Sequence, residues 1–462
     1  MTGRPRAAPA VVAPQRARAT LRGVSWAILI VGLASVAATL NAFFPIRTRW
    51  VAILGFFAGW LTMELTLHIL VGTAVVLGVL ISYGGLQAWP GQLGLALAAA
   101  ASGGLLGLHL RSRKAEVTLR EFYEAAALKV GPDAPRYPRS HIAFPFLAFH
   151  RRDIDVVRNV PFCEVAGQTL RVDVFRPKGP SHGLRRPAVL QIHGGAWVLG
   201  FKEYQGIPLL SHLATQGWVG FNIDYRLSPK ATFPEHLIDC KRALAWIREH
   251  AEEYGIDPDF IVVTGGSAGG HLAALVGLTA GDPEYQPGFE AADTTVHAAV
   301  VFYGVFDLTN RLRTRAGQYR KMLERVVMKK RFEEHPDLFS RASPIDRVHA
   351  GAPTFCVIHG TRDTMTPVED AQHFVEKLRS VSKNPALYIE MQGAEHAFDT
   401  FPSVRTVPVI EAIERFLDSL HRAYCAGKSD ARAAAQTMKA ITAPPGPRTD
   451  GDLTSEEPRC NA

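Results

Sequence analysis

Residues 260–278 read FIVVTGGSAGGHLAALVGL. A β-branched apolar run breaks off at two glycines, and a Leu/Ala-rich stretch of helical character follows a second glycine pair. The reading is strand, sharp turn, helix. At the joint stands G-x-S-x-G, Gly265 to Gly269, with Ser267 at its centre. A side chain on so tight a turn leaves no room for neighbours two positions away, and glycine at both places removes the colliding Cβ atoms. The turn lifts the serine oxygen clear of the backbone and points the next helix's positive end at any anion formed there. The pentapeptide alone is a weak signal. Its place between strand and helix gives it weight.

Working outward, seven more short apolar runs surround this one: 155–162, 170–176, 188–194, 219–226, 297–304, 354–360 and 386–392. Helix-length segments fill the later gaps. One is 235–253, with Leu237, Leu244 and Ile247 on its core face. Another is 367–380, opened by Thr366, Pro367 and Glu369 in a capping-box arrangement. Alternation of this kind predicts an α/β fold, with a sheet of about eight strands that starts antiparallel and becomes parallel.

The chemistry follows from order along the chain. His193-Gly194-Gly195-Ala196-Trp197 closes the 188–194 strand. Acyl transfer builds an oxyanion that fixed donors must meet, and the amides of Gly194, Gly195 and Ala268 are the candidates. The acid and base of a triad are expected after the nucleophile. Asp363 follows the 354–360 strand in HGTRD, and His396 follows the last strand in GAEHAF. His396 would take the Ser267 proton and Asp363 would orient the imidazole. His193, His271 and His359 read as structural. Glu395 reads as a surface or supporting group, and Asp224 in DYRLSP as a hydrogen-bond hub.

These motifs together resemble the hormone-sensitive-lipase-type esterases of the α/β-hydrolase superfamily. The set is HGGAW, DYRLSP, FP ahead of a helix with Asp239 and Trp246, GGSAGG, HGTRD and GAEHAF, over residues 156–423. The resemblance implies a carboxylesterase or lipase of α/β-hydrolase fold, with Ser267, Asp363 and His396 as triad and Gly194, Gly195 and Ala268 as oxyanion hole. It also implies a helical cap, here from 111–155 and an insertion at 305–350. Gly266 departs from the pattern, since many relatives carry Asp there. Amide or arylformamide hydrolysis and acyl transfer to an alcohol remain open with the same groups. A scaffold on a dead hydrolase fold is disfavoured by the intact Ser, Asp and His.

The rest of the 462-residue chain divides by charge. Residues 1–23 carry Arg4, Arg6, Arg16, Arg18 and Arg22 and no acid, and 24–110 are almost uncharged. The 24–44 run reaches about 30 Å as a helix, enough to span a bilayer. A signal peptide would not be followed by two further apolar stretches. Three or four transmembrane helices are expected. Basic flanks at both ends favour four, with tail and catalytic domain both cytoplasmic and the protein multi-pass in the plasma membrane. The block looks like that of actinobacterial membrane-associated esterases. Within 51–89 the one acid, Glu64, and the one histidine, His68, are too few for a transporter. They stand four apart, on one face if helical, and mark either a functional pair or a helix end at the interface.

Residues 311–331 hold nine basic residues and one acid, a face for anionic head groups or simply a solvated helix. The expected partners are thus a small-molecule or lipid ester and membrane lipids. A net charge of +8 without a nucleic-acid motif excludes no class but favours no nucleic acid. Five scattered cysteines, none in C-x-x-C spacing, indicate neither zinc nor a redox pair and lean toward a reducing compartment. No metal or cofactor is expected. Residues 424–462 read as a disordered tail.

Overall fold

Eight strands form one sheet: β1 (Ile154–Val165), β2 (Gln168–Pro177), β3 (Arg186–Ile192), β4 (Val219–Ile223), β5 (Ile256–Gly266), β6 (Ala298–Phe302), β7 (Thr354–Gly360) and β8 (Ala386–Met391). Their order is β1-β2-β4-β3-β5-β6-β7-β8. The β1–β2 and β2–β4 pairs are antiparallel and the others parallel. The structure is a computed structural model and describes residues 15–46, 52–125, 136–179, 185–315 and 317–427. Each of the eight sequence-read strands coincides with one of these. The β4 segment ends three residues early, because the chain turns at Asp224 to aim Tyr225 and Arg226 inward.

The helices are α1 (Gln15–Phe43), α2 (Ala52–Glu64), α3 (Thr66–Ser82), α4 (Trp89–Ser112), α5 (Lys114–Ala125), α6 (Ser140–Ala143), α7 (Ile207–Thr215), α8 (Glu235–Glu249), α9 (Ala251–Tyr254), α10 (Ala268–Leu278), α11 (Gly317–Met322), α12 (Pro336–Arg341), α13 (Val368–Val381) and α14 (Thr406–Gly427). They cover both faces of the sheet. Leu237 and Leu244 of α8, Leu272 of α10 and Phe374 of α13 share one core. Leu119 of α5, Leu210 of α7 and Ile413 of α14 share the other. This is why β4, β6 and β7 are buried at every position and read as unbroken apolar runs rather than alternating ones.

Several boundaries differ from the sequence reading. The helix expected over 235–253 stops at Glu249, and α9 follows after His250. The capping box does not form. Pro367 is the N-cap residue and offers no side-chain bond, while the Thr366 hydroxyl turns to Asp363 and to the Tyr303 carbonyl. The 305–350 insertion is helical in part, with α11, a π-helical turn (Leu323–Val327) and α12. Its Leu323, Val327 and Phe339 enter the main core. Four of the nine cations of 311–331 are paired within the protein: Arg311 with Asp307 and Asp346, Arg315 with Asp370, Arg320 with the Thr309 carbonyl, and Arg331 with Glu334. The stretch read as the start of a disordered tail is helical through Gly427, and residues 428–462 lie outside the described residues. So do residues 1–14 of the basic tail.

The apolar block contains two helices long and apolar enough to cross a membrane, Arg22–Phe43 and Trp89–Ser112. A third unit, Ile53–Glu64 with Thr66–Ser82, is bent by 92°. The expected fourth span is therefore absent among the described residues, and Glu64 and His68 do not share a helical face. The bend falls between them, at Leu65. Glu64 marks a helix end, where it is wholly buried against Arg405 and accepts a hydrogen bond from Ser403. His68 Nε2 meets the Ala143 carbonyl at 2.9 Å.

Candidate active site

Ser267 stands between β5 and α10 with φ 59° and ψ −121°, a conformation that non-glycine residues rarely adopt. The glycines around it are explained by contacts. A Cβ on Gly265 would lie 2.6 Å from the Gly269 carbonyl oxygen, and one on Gly269 would lie 2.1 Å from that of Ile192. The strain is held by the Ser267 amide donating to Phe302 O (3.0 Å) and the His271 amide donating to Ser267 O (2.9 Å). Ser267 itself is half-buried, so its hydroxyl is reachable.

His396 and Asp363 come together from the loops after β8 and β7. His396 Nδ1 lies 2.7 Å from Asp363 Oδ2, which leaves Nε2 as the nitrogen for a serine proton. The Asp363 carboxylate also accepts from the amides of Met365 (2.8 Å) and Thr366 (2.6 Å) and from the Thr366 hydroxyl (2.8 Å). Burial alone would raise its pKa. The charge of His396 and hydrogen bonds from His359 and His396 outweigh burial and hold the carboxyl well below the usual range. An aspartate so held stays ionised and fixes the ring.

Around this pair, sequence reasoning missed Tyr303. Its ring packs 4.5 Å from that of His396, and its hydroxyl donates to Asp399. It also explains Gly266, because a Cβ there would meet the Tyr303 hydroxyl at 2.7 Å. With glycine at 266, the Tyr303 side chain from just past β6 fills that space. The only local cue was a polar aromatic just past an apolar run. Glu395, expected at the surface or behind the base, is buried and accepts from the amides of Thr364 (2.7 Å) and His396 (2.9 Å). Burial, and then the charge of Asp363, push its carboxyl up to about 7.

The His193–Trp197 loop passes directly over the nucleophile, since a Cβ on Gly194 would come 3.1 Å from Ser267 Cβ. The Gly194 amide is already given to Gln205 Oε1 at 2.6 Å, a partner the sequence did not suggest. No acceptor among the described residues takes the Gly195 amide. Ala268 opens α10, where the first amides lack an intrahelical acceptor. His193 is structural as expected. Its ring stacks on Tyr225 at 4.4 Å, and Tyr225 donates to the His193 carbonyl. His271 bridges Trp197 and the Ala342 carbonyl. Asp224 pairs with Lys202 at 3.1 Å, and Arg226 grips Asp239 with two 2.8 Å bonds. The DYRLSP motif and the Asp239 helix are therefore a clamp behind the site. No cluster of metal-ligating side chains exists among the described residues, and the four described cysteines are free.

The neighbours of the acid and base loops include the N-terminal block. Trp60 Nε1 donates to the Ala397 carbonyl (2.8 Å), and Phe56 meets the His396 ring edge-on at 6.0 Å. Arg362 donates to the carbonyls of Ala42 and Phe43, at 3.0 Å each.

The chain is similar to known ester hydrolases. The BD-FAE family matches residues 172–378. The probable carboxylic ester hydrolase LipM of Mycobacterium tuberculosis is 38% identical over 422 residues, covering 88% of this chain and 96% of LipM. Esterase LipQ of the same organism is 43% identical over 272 residues, and there the match spans 64% of the relative. Among solved structures, a butyrate-bound esterase from Thermogutta terrifontis is 26% identical with a TM-score of 0.50, covering 59% of this chain and 94% of that one. A carbohydrate esterase from gut microbiota, 24% identical with a TM-score of 0.52, shares the fold over 59% of this chain and 99% of its own. With a relative matched almost end to end, the chain belongs to the carboxylic ester hydrolases of the α/β-hydrolase family.

Proposed function

We propose that this protein is a membrane-anchored serine carboxylesterase working through a Ser267–His396–Asp363 triad. The observation that carries this reading is the 2.7 Å His396–Asp363 contact after β8 and β7, at the same carboxyl edge of the sheet where Ser267 is held at positive φ on a strand-to-helix turn. His396 Nε2 takes the Ser267 proton as Oγ bonds to the ester carbonyl carbon. The oxyanion is received by the amides of Gly195 and Ala268, joined by Gly194 once Gln205 turns aside. The C–O bond to the alcohol then breaks, and His396 returns the proton to the leaving oxygen. Water attacks the acyl-enzyme through the same base and frees the acid.

The anchor follows the helices. The C-terminal end of α1 rests on Arg362, α3 begins beside Ala143, and α4 runs into α5, which packs against α14. All three ends lie on the catalytic side, so α1, α3 and α4 make three crossings. An odd number places the N-terminal tail and the catalytic domain on opposite faces of the membrane, in place of the common cytoplasmic side read from four.

The test is hydrolysis of p-nitrophenyl esters of rising chain length by the wild type and by Ser267→Ala. The expected loss is at least about 10⁴-fold, with a burst of nitrophenol in the wild type. A mutant that stays active would overturn the nucleophile assignment.

A further inference from the structure

The short helix α2 has two apolar faces and almost no polar one. Its sequence, AILGFFAGWLTME, carries one charge, Glu64, and that carboxylate is turned into the protein onto Arg405. The inner face carries Phe56, beside His396, and Trp60, stacked at 5.3 Å on Phe401 and bonded to Ala397. The outer face carries Ile53, Leu54, Phe57 and Leu61, which are 67%, 71%, 49% and 37% exposed. Their spacing of one, three and four residues makes a single stripe.

Thirteen residues of helix reach about 20 Å, short of the ~30 Å hydrocarbon layer. The 92° bend to α3 lays α2 across the direction of the crossing helices rather than along it. Asn41 near the end of α1 fixes the entry, donating to the Gly55 carbonyl (2.6 Å) and accepting from the Ile46 amide (3.0 Å). An uncharged stripe continuous with membrane-crossing helices is satisfied by lipid, at the depth where in-plane helices lie. Exposed Leu199 and Phe201 after β3, and Met365 after β7, stand on loops at the same carboxyl edge of the sheet.

We infer that α2 is an in-plane wall between the bilayer and the catalytic base, and that the substrate is a long-chain ester dissolved in the bilayer. Only one helix diameter, about 10 Å, separates His396 from hydrocarbon. The ester enters over α2 with its chain against Phe56 and Phe57 and its carbonyl at the head-group level, facing Ser267. This inference rests on the proposed serine esterase reading and names its substrate class.

The experiment uses the full chain in phosphatidylcholine vesicles with two fluorogenic esters of one alcohol, a water-soluble acetate and a vesicle-embedded oleate. Phe57→Ser is expected to lower the oleate-to-acetate rate ratio at least tenfold. A ratio within twofold of wild type overturns the inference. A second measurement does not depend on that variant's folding. Leu54→Cys, with the other cysteines changed to serine, carries a fluorophore challenged with nitroxide lipids. Stronger quenching by a shallow than by a deep nitroxide is expected. No quenching by either means that water or a second copy of the chain covers the stripe, and the inference falls. Ser267→Ala in the same vesicles separates the two readings: if it hydrolyses both esters, the serine mechanism fails whatever α2 does.

Discussion

Gly266 and Tyr303 occupy one space, and a substitution at either is felt by the other. Gly266→Asp would drive a side chain into the Tyr303 hydroxyl, which lies 2.7 Å from the Cβ position. Overpacking of this kind costs about 1–3 kcal/mol. The expected outcome is a lower melting temperature that Tyr303→Ser partly restores, a coupling measurable by a double-mutant cycle. Glu395 makes a second residue-scale prediction. Its carboxyl is raised from 4.5 to about 7, so the folded state holds the proton more tightly than the unfolded one. Its contribution to stability is therefore complete below about pH 4.5 and lost as pH rises through about 7, a swing of about 3 kcal/mol. Glu395→Gln keeps an acceptor for the Thr364 and His396 amides but cannot ionise. Measured against this variant, the wild type should be relatively more stable at pH 5 than at pH 8.

At the scale of elements, the helix α2 and the loop after β8 behave as one unit. Trp60→Phe keeps the stacked ring and removes the N–H that holds Ala397, a residue at φ 60° next to the base. One lost hydrogen bond is worth about 1 kcal/mol. A several-fold fall in kcat on a short soluble ester, with KM little changed, is expected. Glu64→Gln is more severe, because Arg405 loses its partner where both side chains are at most 5% exposed. Breaking such a pair costs about 3–5 kcal/mol, read as a drop in thermal midpoint. These elements also show what could be read from the chain. The elbow, the oxyanion loop and the acid and base loops were legible because each is a local pattern at a strand end. Trp60 and Ala397 are separated by 337 positions, and nothing local links them. The capping box misled for a related reason: the Thr366 hydroxyl serves Asp363 instead of the helix. The 92° bend was hidden because apolar composition is the same on both sides of it.

For the whole molecule, the sharpest expectation concerns sides. An impermeant maleimide applied to sealed vesicles should reach either Cys425, exposed near the end of α14, or a cysteine placed in residues 1–14, and never both. Labelling of both from one side would restore an even number of crossings. Basic residues flank both ends of the apolar block. Charge bias alone points to one compartment, whereas the proposed passages of α1, α3 and α4 are three and point to two.

The contacts of Arg362, Trp60 and Glu64 tie the catalytic domain to the N-terminal helices, its proposed anchor, at three separate points rather than by a flexible leash. On that proposed anchoring the enzyme searches a surface, not a volume. Its saturation is then governed by the mole fraction of ester in the lipid, so that adding inert lipid at constant total ester slows turnover although nothing in the surrounding water has changed.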